Sequence, residues 1–159
     1  MNKKGNIIIL SLIIISVIAI FIYNNTSNIS SSRCLGGKEE KRSFVSHTNQ
    51  SYTNDSMKFD FKSFNGKWSF FELDLNEGSK IIIDDNSKIE KGKMYLVLLT
   101  SDYDIVSQKE LNGEENLEFL CPKDQKYFLR IVGKRASGHF EVKINSDNQY
   151  KATYKDFFG

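Results

Sequence analysis

The chain has 159 residues, 40% hydrophobic, 13% aromatic and 26% charged, with a formal net charge of +2. Residues 1–56 hold six basic and three acidic side chains, residues 57–145 fourteen and fifteen, and residues 146–159 two of each. The bulk of the chain is thus near neutral, which excludes the clustered basic face of a nucleic-acid binder.

From Ile7 to Tyr23 seventeen residues are apolar or hydroxyl-bearing, and they follow Lys3 and Lys4 in a stretch free of charge from Gly5 to Ser32. At the helical rise such a run spans ~26 Å, close to the roughly 30 Å hydrocarbon core of a bilayer. The run ends on Phe21, Ile22 and Tyr23 and then two asparagines, without the small residues of a cleavage site, so an uncleaved signal anchor is favoured over a peptide that is removed to leave a secreted protein. Cys34 follows Ser31, Ser32 and Arg33, a poor match to a lipidation box. The positive-inside tendency keeps the lysine end in the cytoplasm, making the partner of residues 7–23 a cell membrane and the remaining chain extracytoplasmic.

Residues 24–56 are rich in Asn, Ser and Thr with one charged cluster from Lys38 to Arg42. Their low apolar content predicts a flexible tether. In that cluster Glu39 and Glu40 cancel two of the three charges of Lys38, Lys41 and Arg42 towards anionic headgroups.

From Met57 the apolar period becomes two, the mark of half-buried strands. Met57, Phe59 and Phe61 alternate up to Asn65-Gly66, a pair that suits a type I′ hairpin. The next strand carries Trp68 and Phe70 on one phase and Phe71, Leu73 and Leu75 on the other, which predicts a bulge near Phe70. Glu77-Gly78 turns the chain into Ile81, Ile82 and Ile83, and the polar run 84–93 reads as a loop. Tyr95 to Leu99 is continuously apolar, as in a central strand covered on both faces. A turn at Ser101 to Asp104 leads to a strand over 105–109, and Pro122 ends the one that carries Leu117, Phe119 and Cys121. Strands over 127–132 and 140–144 follow, joined by Gly133 to Gly138.

About eight short strands within residues 57–145, and no later segment of helical period, predict an all-β fold: an antiparallel β-sandwich of jelly-roll type after one transmembrane helix. A small closed β-barrel is the alternative. The domains expected are therefore an anchor over 1–23, a tether over 24–56, the sandwich over 57–145 and a C-terminal tail over 146–159.

Chemistry-bearing groups are sparse. His47 and His139 lie in different regions and lack zinc-ligand spacing. Asp84-Asp85 and Asp102 with Asp104 lack the ordered spacing of a calcium loop, and nothing in them marks a glycosidase pair. Cys34 and Cys121 could pair as a disulfide in an extracytoplasmic setting, while Cys121 fits equally as a core thiol. No catalytic residue, metal or cofactor is expected. The candidates for ligand binding are Trp68, as part of an aromatic stacking face, and Arg130 with Lys134 and Arg135, as an anion-binding edge.

Phe64-Asn65-Gly66, Leu75 to Lys80 before the isoleucines, Lys91-Gly92-Lys93, and above all Tyr127 to Gly133 followed by Ser137-Gly138-His139-Phe140 resemble the small β-sandwich modules of membrane-anchored or secreted Gram-positive proteins. The last block is also similar to the closing strands of pre-peptidase C-terminal domains. The resemblance implies a noncatalytic sandwich and transfers no site residue. The function expected is a tethered extracytoplasmic binding module for a protein partner or envelope component. A carbohydrate or cell-wall polymer module is the alternative, and a small hydrolase on loop carboxylates is a weaker third.

Overall fold

The computed structural model describes residues 29–112 and 116–155, and the 7–23 run lies outside them. Among the described residues no helix is long and apolar enough to cross a membrane. The order of elements is a helical turn α1 (Ser32–Leu35), then β1 (Arg42–Ser43), β2 (Ser46–Tyr52), β3 (Ser56–Leu75), β4 (Lys80–Asp85), β5 (Lys88–Thr100), β6 (Ile105–Glu110), β7 (Leu117–Leu120), β8 (Gln125–Ser146) and β9 (Lys151–Tyr154). All nine strands belong to one antiparallel sheet that does not close into a barrel. The all-β expectation holds.

Two strands build the architecture. β3 and β8 pair from Ser56↔Lys143 to Leu75↔Gln125, and both bend midway, so that each serves two layers. Layer I runs β2, first half of β3, second half of β8, then β4 with the start of β5 (residues 88–89), and β7. Layer II runs β9, second half of β3, first half of β8, β5, β6. The bend is written in the backbone: register shifts at Phe61/Phe64 and Phe64/Gly66, with positive φ at Ser63, Gly66, Arg135 and Gly138. Bulges of this kind let a strand turn the corner of a sandwich.

This differs from the expected hairpins. Asn65-Gly66 and Gly133 to Gly138 do not reverse the chain; they are the corners of two continuous strands. A hairpin would pair the two halves with each other, whereas both halves of β3 find β8. The run 84–93 is likewise mostly strand, because β4 and β5 continue to Asp85 and from Lys88 along β8. The bulge expected near Phe70 is present between Ser69 and Phe71, and the turn at 101–104 forms through Tyr103 N–H to Thr100 O and Thr100 N–H to Asp104 O.

Alternation along the strands fills the space between the layers with Met57, Phe59, Phe61, Trp68, Phe70, Leu96, Leu98, Leu129, Ile131, Phe140, Val142 and their neighbours. Across the layers Phe70 meets Phe140 edge to face at 5.3 Å and Phe59 meets Trp68 at 6.2 Å. Aromatic pairs at such spacing add to the area that they bury. One lateral seam holds the ion pair of Lys109 on β6 with Asp85 on β4, at 2.9 Å, with the carboxylate fully buried. The other is closed by Tyr52 on β2 against Tyr154 on β9, at 4.7 Å between ring centroids.

β5 carries a second apolar face, as its continuous sequence predicts. Val97 and Leu99 join Val132 and Leu35 in a separate cluster on the outer side of layer II. The cover is residues 29–43, expected as flexible tether. Ser31 caps α1, Leu35 is fully buried, and β1 pairs with β3 at Gly66 and Asn65. The order comes from tertiary partners rather than local content. Residues 151–154 of the tail also dock, as an edge strand on β3.

Gly66 shows how close the approach is. A Cβ there would lie 1.8 Å from the Lys41 carbonyl oxygen, at a φ of +113°, whereas one at Gly78, φ +79°, would meet nothing. Gly78→Ala should therefore cost about 1 kcal/mol, the left-handed penalty alone. Gly66→Ala should cost distinctly more and loosen residues 38–43. Urea denaturation of both variants checks the order, and equal costs would refute the close approach.

Candidate functional site

The sequence candidates separate. Trp68 is 2% exposed and Phe70 fully buried, so neither can stack on a solvent ligand. Arg42 lies with its guanidinium carbon 5.6 Å from the Trp68 ring centroid. Arg130 has no exposed side-chain surface. Lys134 and Arg135 stand at the corner of β8, where the Arg135 N–H donates to Asn65 Oδ1 at 2.8 Å. The three cations form no common edge, because Arg130 is turned into the outer cluster of layer II.

There Arg130 binds protein. Nε donates to Ser69 Oγ at 3.0 Å, Nη1 to the carbonyls of Leu35, Gly36 and Gly37 at 3.2, 3.2 and 2.8 Å, and Nη2 to Glu40 Oε1 at 3.3 Å. Tyr103 lies 5.2 Å from the guanidinium and stacks on Phe128 at 5.1 Å. Burial lowers the pKa of Arg130 and Glu40 opposes that fall. Lys67 Nζ also donates to Gly36 O at 2.8 Å, and Glu40 Oε1 accepts from the Ser69 N–H at 3.0 Å. Residues 29–43 are thus a strap clamped across layer II.

The outer face of layer I carries a different group. Pairing aligns Thr48, Asp60, His139 and Lys88 on four adjacent strand segments. His139 Nδ1 lies 2.6 Å from Asp60 Oδ1 and Nε2 lies 3.1 Å from Glu141 Oε2. Asn49 Nδ2 donates to the other Asp60 oxygen at 2.5 Å. With a carboxylate on each ring nitrogen, only the imidazolium donates at both. Burial lowers the His139 pKa, but the hydrogen bonds to Asp60 and Glu141 outweigh it and the net shift is upward. The His139 hydrogen bond is in turn the main reason that Asp60 falls below its usual carboxylate value, with Asn49 adding to it. An open hollow of about 430 Å³ beside this row is lined by residues that include Ser46, His47, Lys62 and Glu90.

This cluster was legible only in part. His139 and Glu141 are two apart on one strand and so share a face, but Asp60 is 79 residues from His139 and only the register joins them. Elsewhere Asp84 accepts from Asn145 at 2.7 Å and Asp85 pairs with Lys109, so neither is a solvated loop acid. Cys34 and Cys121 are free thiols, the latter with Sγ 3.5 Å from the Tyr127 hydroxyl. Burial and that thiol push the Tyr127 pKa up to about 12.

Arg130→Met leaves the Leu35 and Gly37 carbonyls without this donor and Glu40 and Gly36 with one donor fewer each, and should cost ~3–5 kcal/mol. Glu40→Gln keeps an acceptor for Ser69 and should cost less than Glu40→Ala; denaturant midpoints give the ranking. For the histidine, the folded pKa is raised, so its contribution is complete below the unfolded value near 6.5 and is lost as pH rises through the folded value. Asp60 is lowered, so its contribution is present above 3.8 and is lost as pH falls through its folded value. Stability should therefore decline on the alkaline side through His139, and His139→Gln should flatten that limb. An NMR titration of the imidazole that gives an ordinary or lowered pKa would contradict this.

No family model and no curated protein match the chain. Among solved structures, a chain in a crystal structure of accessory secretory protein 1, 2 and 3 in Streptococcus pneumoniae aligns over 67% of this chain and 88% of its own, at 15% identity and a TM-score of 0.35. At that level the likeness carries no inference of function.

Proposed function

We propose that the chain is a noncatalytic module anchored on the outer side of a membrane by its 7–23 run, and that it binds a protein partner or envelope component through the outer face of layer I. The observation that carries this is the fixed charge row on that face. Asp60, His139 and Glu141 hold one another in place on three rigid strand positions, with Lys58, Lys62 and Lys88 exposed around them. Charges pre-set on a scaffold favour complementary recognition and fast encounter more than catalysis. The strap occupies the opposite side of the sandwich, which leaves this face open to a partner.

A wall-polymer module is the second reading. The aromatics first considered for it are buried, and it rests instead on the Tyr52–Tyr154 pair, whose residues are 39% and 38% exposed.

Affinity capture with the full-length protein, from detergent-solubilised membranes and from insoluble wall, separates the two. Saturable retention of one membrane or envelope protein, weakened several-fold by a joint Asp60→Ala and Glu141→Ala change, is the expected result. Co-sedimentation with wall that Tyr52→Ala abolishes would favour the polymer reading. Orientation is checked through Cys34, which is partly exposed: a membrane-impermeant maleimide should label it on intact cells, and labelling only after permeabilisation would overturn the outward placement.

A further inference from the structure

We propose that the strap is a docking surface for an anionic phospholipid membrane, and that the outer face of layer II lies against the headgroups. The inference rests on the anchored reading above and adds to it a lipid partner for a second face.

Three observations carry it. The first is reach. Five residues separate the apolar run from Ile29, so, whatever their conformation, the strap starts within about 20 Å of the end of that run. The second is charge. Arg33, Lys38 and Lys41 are exposed on residues 29–43 against the exposed Glu39, a surplus of two that does not count Arg42, whose guanidinium lies against Trp68. Glu40 does not reduce it, because its carboxylate faces inward to Arg130 and the Ser69 N–H. The sequence alone counts Glu40 as a cancelling charge; the fold spends it on a buried cation. The third is rigidity. Arg130 and Lys67 hold the carbonyls of residues 35–37, so these cations are displayed by a fixed backbone. Asp102 and Asp104, on the β5–β6 turn beside Gly36, bound the patch on that side.

Anionic headgroups fit such a surface because a row of cations gains attraction additively, with roughly a fivefold change in partitioning per lysine, and loses it to screening at high salt.

The test uses the full chain in lipid discs of phosphatidylcholine alone or with phosphatidylglycerol added. Acylation by a water-soluble amine reagent is followed by mass spectrometry at Lys38 and Lys41, with Lys58 and Lys62 on layer I as internal references. The expected result is about fivefold slower acylation of Lys38 and Lys41 in the anionic discs, unchanged references, and recovery in high salt. Equal rates in both discs, or protection of the references instead, would overturn the proposal. Failure of the chain to remain in either disc would remove the anchor, not the surface. The same protein is then floated with anionic and neutral vesicles: flotation with anionic vesicles alone sustains the surface, and flotation with neither refutes it.

Discussion

One buried guanidinium organises the outer half of this protein. Arg130 sits without solvent contact on the face of layer II, where an uncompensated charge would cost several kcal/mol. Among the described residues, all but one of its hydrogen-bond partners belong to the strap: three backbone carbonyls and the Glu40 carboxylate. The sheet itself supplies only Ser69. The strap is therefore a structural part of the domain, and its Leu35 completes the apolar cluster of Val97, Leu99 and Val132 that the sheet would otherwise leave open. A polar requirement and an apolar one are met by the same short segment.

The rest of the sandwich depends on continuity. Because β3 and β8 each pass through both layers, the layers share covalent corners and a single core rather than meeting as two independent sheets. The seams are closed by chemically different means, a buried Asp85–Lys109 pair on one side and an exposed tyrosine pair on the other. What is left to solvent is then strongly divided: a fixed charge row on layer I and a cationic strap on layer II.

Alternation made the strand content and the doubly covered β5 legible, since side-chain period depends only on local backbone geometry. Corners were not. Asn65-Gly66 carries the residues of a hairpin turn, and whether the chain reverses or merely bends depends on which strand lies beside it, which no local pattern records. The strap failed for the same reason. Its composition is that of a disordered segment, and its order comes from Arg130, 90 residues away from Glu40. Trp68 and Phe70 were readable as strand residues, and the bulge expected beside Phe70, found between Ser69 and Phe71, is what lets both apolar phases of β3 face inward. The charge row needed register above all, with Asp60 and His139 brought opposite each other by β3–β8 pairing.

That pairing has a consequence for how the molecule comes into being. The central ladder joins residues separated by 50 positions at Leu75↔Gln125 and by 87 at Ser56↔Lys143, and the local β2–β3 hairpin does not shorten that separation. Closing such long loops is entropically unfavourable before any contact rewards it, and folds dominated by distant contacts assemble slowly. A nascent chain ending before residue 125 lacks β8, the strand that both layers share, and offers the strap only its partners on β3 and β5, not Arg130. Completion of the sandwich is thus deferred until nearly the whole chain is present, and Arg130, arriving late in synthesis, is the residue that locks the strap in place.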